Sequence, residues 1–129
     1  MGLKVSVEKM KEKEGCFVVS PVGSIDSDTY AELEKALHPI MNPSTMAIVL
    51  NMGGVTYLSS IGFGVIFKAK QTVEKHGGTL VISNIQPNVK KIFDAVKAVP
   101  ESLFATMQAA DEYLDAYIAN MHKKGTEGK

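Results

Sequence analysis

The run Met46-Ala47-Ile48-Val49-Leu50 constrains this chain more than any other segment. A short, uninterrupted apolar run suits an interior strand covered on both faces, so further structure must lie on either side of it. Asn42-Pro43-Ser44 breaks the chain ahead of it, and Asn51-Met52-Gly53-Gly54 reads as a loop after it. Leu3, Val5 and Val7 alternate with Lys4, Ser6 and Glu8, the pattern of a half-buried strand. Lys11-Glu12-Lys13-Glu14-Gly15 turns the chain, and Cys16 to Val19, continuing loosely to Ile25, completes a hairpin. Pro21 lies inside that second strand. It has no N–H to donate, so that side faces an edge, a bulge or the strand's end.

Helical periodicity fills the intervals. Tyr30, Leu33, Leu37 and Ile40 recur at helical spacing, with Asp26, Ser27 and Asp28 as candidate N-caps. Val55 to Leu58 is another strand. Ser59 or Ser60 caps the next helix, which runs to about His76 and stops at Gly77-Gly78. Thr79 to Ile82 is again a strand. Pro87 suits the first position of a helix, and Val89, Ile92, Phe93 and Val96 give it one apolar face. Leu103-Phe104-Ala105 reads as a last short strand, and Thr106 caps a final helix bearing Met107, Ala110, Leu114, Tyr117 and Met121. Strands alternating with helices imply crossovers and parallel pairing. Residues 1–122 therefore read as one α/β domain, a mixed, mostly parallel sheet flanked by about four helices after an N-terminal hairpin. The polar residues 123–129 read as a disordered tail.

Composition excludes several functions. Lys plus Arg number 14 and Asp plus Glu number 14, so the surface lacks the positive charge of a general nucleic-acid binder. One cysteine, Cys16, permits no internal disulfide and fits a reducing, cytoplasmic setting. It begins an apolar strand and reads as an inert buried thiol. No apolar run reaches bilayer length, and the first residues lack a signal peptide's apolar stretch. Gly2 with Ser6 matches the bare myristoylation pattern, but the same residues alternate as a strand. His38, His76 and His122 are scattered and no carboxylates cluster beside them, so no metal set exists. His76 sits where a helix should end, a favourable place for its charge. Gly62-Phe63-Gly64 is only a G-x-G, short of any phosphate-loop motif. Ser60 is followed by Gly62 but preceded by Leu58, half of a nucleophile elbow. The expectation is a binding protein with no catalytic residue, metal or cofactor, and no direct contact with nucleic acid or membrane.

The stretch from Val55 to Phe67 stands out. Two serines sit where strand gives way to helix, and Gly62 and Gly64 follow inside that helix. Each glycine costs about 1 kcal/mol relative to Ala, a cost accepted where the backbone must approach something closely. That something is either the sheet or a partner. Ile61, Phe63, Val65, Ile66 and Phe67 exceed what one buried face accommodates, the mark of a docking patch. A helix N-terminus tolerates a phosphate, whereas an apolar interface rejects its charge of roughly −1.5 to −2. Ser59 and Ser60 thus read either as plain caps or, for Ser60, as a phosphorylation switch.

Three pieces of the chain, in this order, resemble the STAS domain family, named for sulfate transporters and anti-sigma factor antagonists. They are Val22-Gly23-Ser24-Ile25-Asp26, Val55 through Phe67, and His76-Gly77-Gly78-Thr79-Leu80 leading into a strand. The first is similar to the family's Gly-x-Leu-Asp, and the second to its Asp-Ser-Ser-Gly followed by Leu-Gly. The likeness is greatest to free-standing bacterial anti-sigma factor antagonists and runs from about Leu3 to Ile118. It implies a STAS-like fold and a cytoplasmic regulator that binds a serine-kinase anti-sigma factor, is inactivated by phosphorylation and is reset by a serine phosphatase. Aligning the helix glycine with Gly62 puts the phosphorylated serine at Ser60, with Ser59 as the alternative. The implied partner surface is Asp26, Ser59, Ser60, Ile61, Gly62, Phe63 and Gly64, where Asp26 either caps the first helix or contacts the switch. The chain departs from the pattern where the family's Asp residues are Ser59 and Asn51 here and its second serine is Ile61. The resemblance also leaves two unphosphorylated readings open, a STAS ligand or nucleotide sensor and a structural subunit of a larger STAS assembly. The expected state is a monomer or weak dimer.

Overall fold

The strand β3 (Ala47–Asn51) lies at the centre of a mixed sheet, as its apolar run requires. The computed structural model describes residues 2–11, 13–95, 103–104 and 106–127. Around β3 the chain forms β1 (Lys4–Lys9), β2 (Cys16–Ile25), α1 (Tyr30–Leu37), β4 (Gly54–Leu58), α2 (Ser60–Lys75), β5 (Thr79–Ser83), α3 (Pro87–Ala95), β6 (Leu103–Phe104) and α4 (Met107–Glu127). A single 3₁₀ turn, His38–Ile40, extends α1, with Pro39 inside it. The sheet order is β1-β2-β3-β5-β6. β1 and β2 form the expected antiparallel hairpin, and the other pairings are parallel.

Pro21 explains why β2 can be so long. β3 pairs with Cys16 to Val19, and β4 pairs with Val22 to Ile25, on the same side of β2. Pro21 falls in the gap between the two partners, where no donor is needed. Met52 and Gly53 alone separate β3 from β4, so the expected four-residue loop shrinks to two. A register shift between Gly23 and Ser24 skips Thr56 and turns both Thr56 and Tyr57 outward.

Alternation along the strands divides the core. Ile48, Leu50, Leu80 and Ile82 face a large layer with Leu33 and Leu37 of α1, Val65, Ile66 and Val73 of α2, and Val89 and Phe93 of α3. Ala47, Val49, Val81 and Cys16 face α4 through Ala110 and Leu114. Burial pushes the Cys16 thiol pKa up, which keeps it protonated and unreactive. Lys13 ties the hairpin to α4 through Asp111 at 2.8 Å and Asp115 at 3.1 Å. Its hydrogen bonds to those carboxylates hold the ammonium above the usual lysine range. The tie therefore persists through neutral pH and is lost as strong alkali deprotonates the lysine.

Some expectations need correction. β1 is less covered than its alternation implied: Leu3 just before it is buried and Val5 packs against the core, but Val7 is exposed. Thr29, not Asp26, Ser27 or Asp28, stands at the start of α1, and no side chain caps that helix. Asp26 instead accepts the Asp28 N–H at 2.9 Å, closing the turn before the helix. α4 spans Met107–Glu127. Val96, Ala105 and the side chains of Met121 and His122 lie outside the described residues. Thr106 caps α4 as expected, its hydroxyl accepting the Ala109 N–H at 3.1 Å.

Candidate functional site

The carboxyl ends of two adjacent parallel strands, β2 and β4, meet at the amino end of α2. Ile25 is in register with Leu58, and the Ser59 N–H donates to the Ile25 carbonyl at 2.9 Å. This bond places Asp26 beside the start of α2. Ser59 has extended backbone, and its hydroxyl accepts the Gly62 N–H at 3.2 Å. It is therefore the N-cap. Ser59→Ala should cost about 1 kcal/mol of stability, read as a lowered midpoint in urea unfolding.

Ser60 is the first residue of the helix and is exposed. Its hydroxyl has no hydrogen-bond partner among the described residues. The first turn of α2 carries no acidic residue, and the positive end of the helix dipole bears on Ser60. The structure thus assigns the cap that the sequence left open between the two serines. One hydroxyl is used by the fold and the other is free.

The two glycines separate in the same way. A Cβ on Gly62 would lie 2.6 Å from Ile25 Cγ2, 2.8 Å from Leu58 Cδ1 and 3.0 Å from the Ile25 carbonyl oxygen. Gly62 is what lets α2 sit against the ends of β2 and β4. A Cβ on Gly64 would meet nothing within 4 Å. Gly64 therefore satisfies no close approach inside the domain.

The apolar excess of α2 divides too. Val65 and Ile66 are buried, while Ile61 is 42% exposed and Phe67 is 43% exposed. Phe63 is half-buried, edge-on to Phe93 of α3 at 4.9 Å and stacked on Phe67 at 5.9 Å. Ser60, Gly64 and Phe67 fall at i, i+4 and i+7, on one face of the helix. Tyr57, 55% exposed at the end of β4, adds apolar surface that no local pattern had signalled.

Asn51 is not part of this cluster. The whole of β4 separates it from Ser59, about 17 Å at the usual strand rise. Its Oδ1 accepts the Gly53 N–H at 3.0 Å and the Asn84 Nδ2 amide at 3.1 Å. A carboxylate at that position would accept the same two bonds, so this departure leaves the turn after β3 intact and lies away from the surroundings of Ser60. α3 covers the outside of β4, where Gln86 and Asn88 donate to the Gly53 and Thr56 carbonyls at 2.9 Å each. Sequence reasoning also missed a cleft of about 310 Å³ between α1 and α2, with Leu37, Met41, Val65 and Ala69 in its lining and Glu34, His38 and Lys68 beside them. No helix among the described residues is long and apolar enough to cross a membrane.

Comparison with known proteins places this geometry. The STAS domain model matches residues 9–110. BtrV of Bordetella bronchiseptica, provisionally named an anti-sigma factor antagonist, is 24% identical over 92 residues, 71% of this chain and 77% of that protein. The anti-sigma-B factor antagonist of Staphylococcus epidermidis is 26% identical over 72 residues, 56% of this chain and 67% of that protein. Among solved structures, the anti-sigma factor antagonist SpoIIAA in its unphosphorylated form superposes with a TM-score of 0.74 at 17% identity, covering 88% of this chain and 97% of that one. The phosphorylated form of SpoIIAA, from Bacillus, gives 0.68 at 17% identity, covering 86% and 99%. The structural likeness shows a shared fold.

Proposed function

Because the chain belongs to the STAS domain family and is anti-sigma factor antagonist-like, we propose that it binds a serine-kinase anti-sigma factor through the start of α2 and is released by phosphorylation of Ser60. The observation that carries this reading is the division of labour between adjacent serines. Ser59 holds the helix cap, while Ser60 stands exposed beside it with a free hydroxyl. A phosphate there leaves every described hydrogen bond of the domain in place and is favoured by the helix dipole. The same charge lies on a face that also carries Gly64 and Phe67, with Ile61 next to it. An apolar partner surface docked there would have to bury the phosphate unpaired, at a cost of several kcal/mol. The fold would be indifferent to the modification and the interface would not. Asp26, held beside the start of α2, extends the surface. A serine phosphatase acting on the exposed phosphate restores binding. The module itself catalyses nothing.

The first test is mass spectrometry of the peptide carrying Ser59 and Ser60, from protein purified from its native cells under several growth conditions. The expected result is phosphate on Ser60 in part of the population, with only the unmodified part retaining a kinase-type anti-sigma factor in a pull-down. Phosphate on Ser59 instead would move the acceptor onto the cap and refute the division of labour. An unmodified peptide throughout, with no such partner retained, would sink the switch.

The cleft between α1 and α2 favours a second reading, a ligand sensor. A thermal-shift titration against nucleotides and lipids discriminates. A ligand at 100 times its dissociation constant adds about 2.7 kcal/mol, several degrees in melting temperature for a domain of this size. A flat titration removes this reading.

A further inference from the structure

β1 (Lys4–Lys9) is the outer strand of the sheet. β2 pairs with one side of it, and among the described residues no strand pairs with the other. The direction of its free backbone groups follows from the hairpin. The Met10 N–H donates inward to the Cys16 carbonyl at 2.9 Å, continuing the register in which Lys9 faces Phe17. Bonded residues alternate along an antiparallel ladder, so Lys4, Ser6 and Glu8 bond to β2. Val5, Val7 and Lys9 then present their N–H and C=O groups outward. Pro21 gives the same phase independently. It lies opposite Val5, where β2 needs no donor toward β1.

We propose that this edge is a homodimer interface, in which β1 pairs antiparallel with β1 of a second copy about a two-fold axis at Ser6. The phase requires outward residues to face outward residues, so the axis must pass through a residue and not between two. An axis at Val5 sets Lys4 against Ser6 and Leu3 against Val7. An axis at Val7 sets Ser6 against Glu8 and Val5 against Lys9. An axis at Ser6 sets Lys4 against Glu8 twice, Val5 against Val7 twice and Ser6 against itself. In that register alone, Lys4 meets Glu8 and Val5 meets Val7, because Lys4-Val5-Ser6-Val7-Glu8 is a charge-complementary palindrome; Lys9, at the strand's end, faces Leu3. Val5 and Val7 of both copies exchange their backbone bonds, and the exposed Val7 is covered. Neither Lys4 nor Glu8 has an ion-pair partner among the described residues, so both charges are available. Exposed edges of this kind recruit further strands unless they are blocked.

Sedimentation equilibrium at low salt tests the pairing. The wild-type chain should move from 13.9 kDa toward twice that mass as concentration rises. Lys4→Glu and Glu8→Lys each place two like-charge pairs across the strands, and each should weaken association by roughly ten- to a hundredfold. The double variant Lys4→Glu with Glu8→Lys should associate like wild type. An equimolar mixture of the two single variants should also associate, because each supplies the charge that the other lacks. Amide exchange at Val5 and Val7 should slow with wild-type concentration. A wild-type chain that stays monomeric to about 1 mM overturns the proposal. Single variants that associate as wild type does, or a double variant without rescue, also overturn it by assigning any dimer to another face.

Discussion

Gly62→Ala should destabilise the domain by about 2 kcal/mol, while Gly64→Ala should stabilise it by up to about 1 kcal/mol. Both variants gain the same helix propensity. They differ in what the new methyl meets. At position 62 it enters space held by Ile25 and Leu58, with a backbone carbonyl oxygen only 3.0 Å away. Leu58 can rotate, but the Ile25 carbonyl belongs to the ladder with β4 and the Ile25 Cγ2 is fixed close to its own backbone. Overpacking of this kind typically costs about 1–3 kcal/mol, and relief requires α2 to lift from the strand ends. At position 64 the methyl points into open space. The two variants should therefore differ by about 3 kcal/mol, a separation of roughly 1–3 M in urea midpoint at the usual slopes. Equal midpoints would mean that α2 does not sit on β2 as described. If Gly64→Ala also weakens partner capture, the open space over Gly64 is where a partner's backbone approaches.

Ser60→Asp should lower affinity for the captured partner about a hundredfold or more, near 3 kcal/mol, with little change in melting temperature. A carboxylate at the first helical position interacts favourably with the dipole by about 0.3–1 kcal/mol, so the domain tolerates it. In the interface it would be a buried charge without a partner, and such losses run to about 2–5 kcal/mol. Ser59→Asp is the control. Aspartate is as good an N-cap as serine, so that variant should fold normally, with its carboxylate turned back toward the Gly62 N–H and away from the exposed face. Capture unchanged in Ser60→Asp would end the switch model at that position. Equal loss in both aspartate variants would mean that charge anywhere near the helix start suffices, and the distinction between the serines would have no functional content.

The likeness of this site to the antagonist pattern was legible in the sequence, but its internal logic was not. Val55 through Phe67 announced a strand, a capped helix start and an apolar excess from local pattern alone. Which serine caps depends on where Gly62 directs its N–H, and that depends on Ile25, far away in sequence. Asp26 looked like a cap because it precedes an amphipathic run. The register of β2 against β4 begins α1 three residues later than a cap at Asp26 requires, and leaves Asp26 to close a turn. The α1–α2 cleft and the exposure of Tyr57 had no sequence signal, since both arise from how neighbouring elements sit and from a one-residue register shift.

Side-chain periodicity by itself determined the element order, the interior place of β3, the hairpin, the helix stop at Gly77-Gly78 and the cap at Thr106. These features follow from backbone sterics and the 2.0- and 3.6-residue repeats, which act within a few neighbours. Only the tertiary structure decided that β2 is shared between β3 and β4 across Pro21, that Gly62 is a packing glycine and Gly64 is not, and that β1 ends the sheet with one side unpaired among the described residues. Each of these depends on a distance between segments far apart in the chain, and such distances are set by which surfaces exclude water together and not by the residues of any one segment.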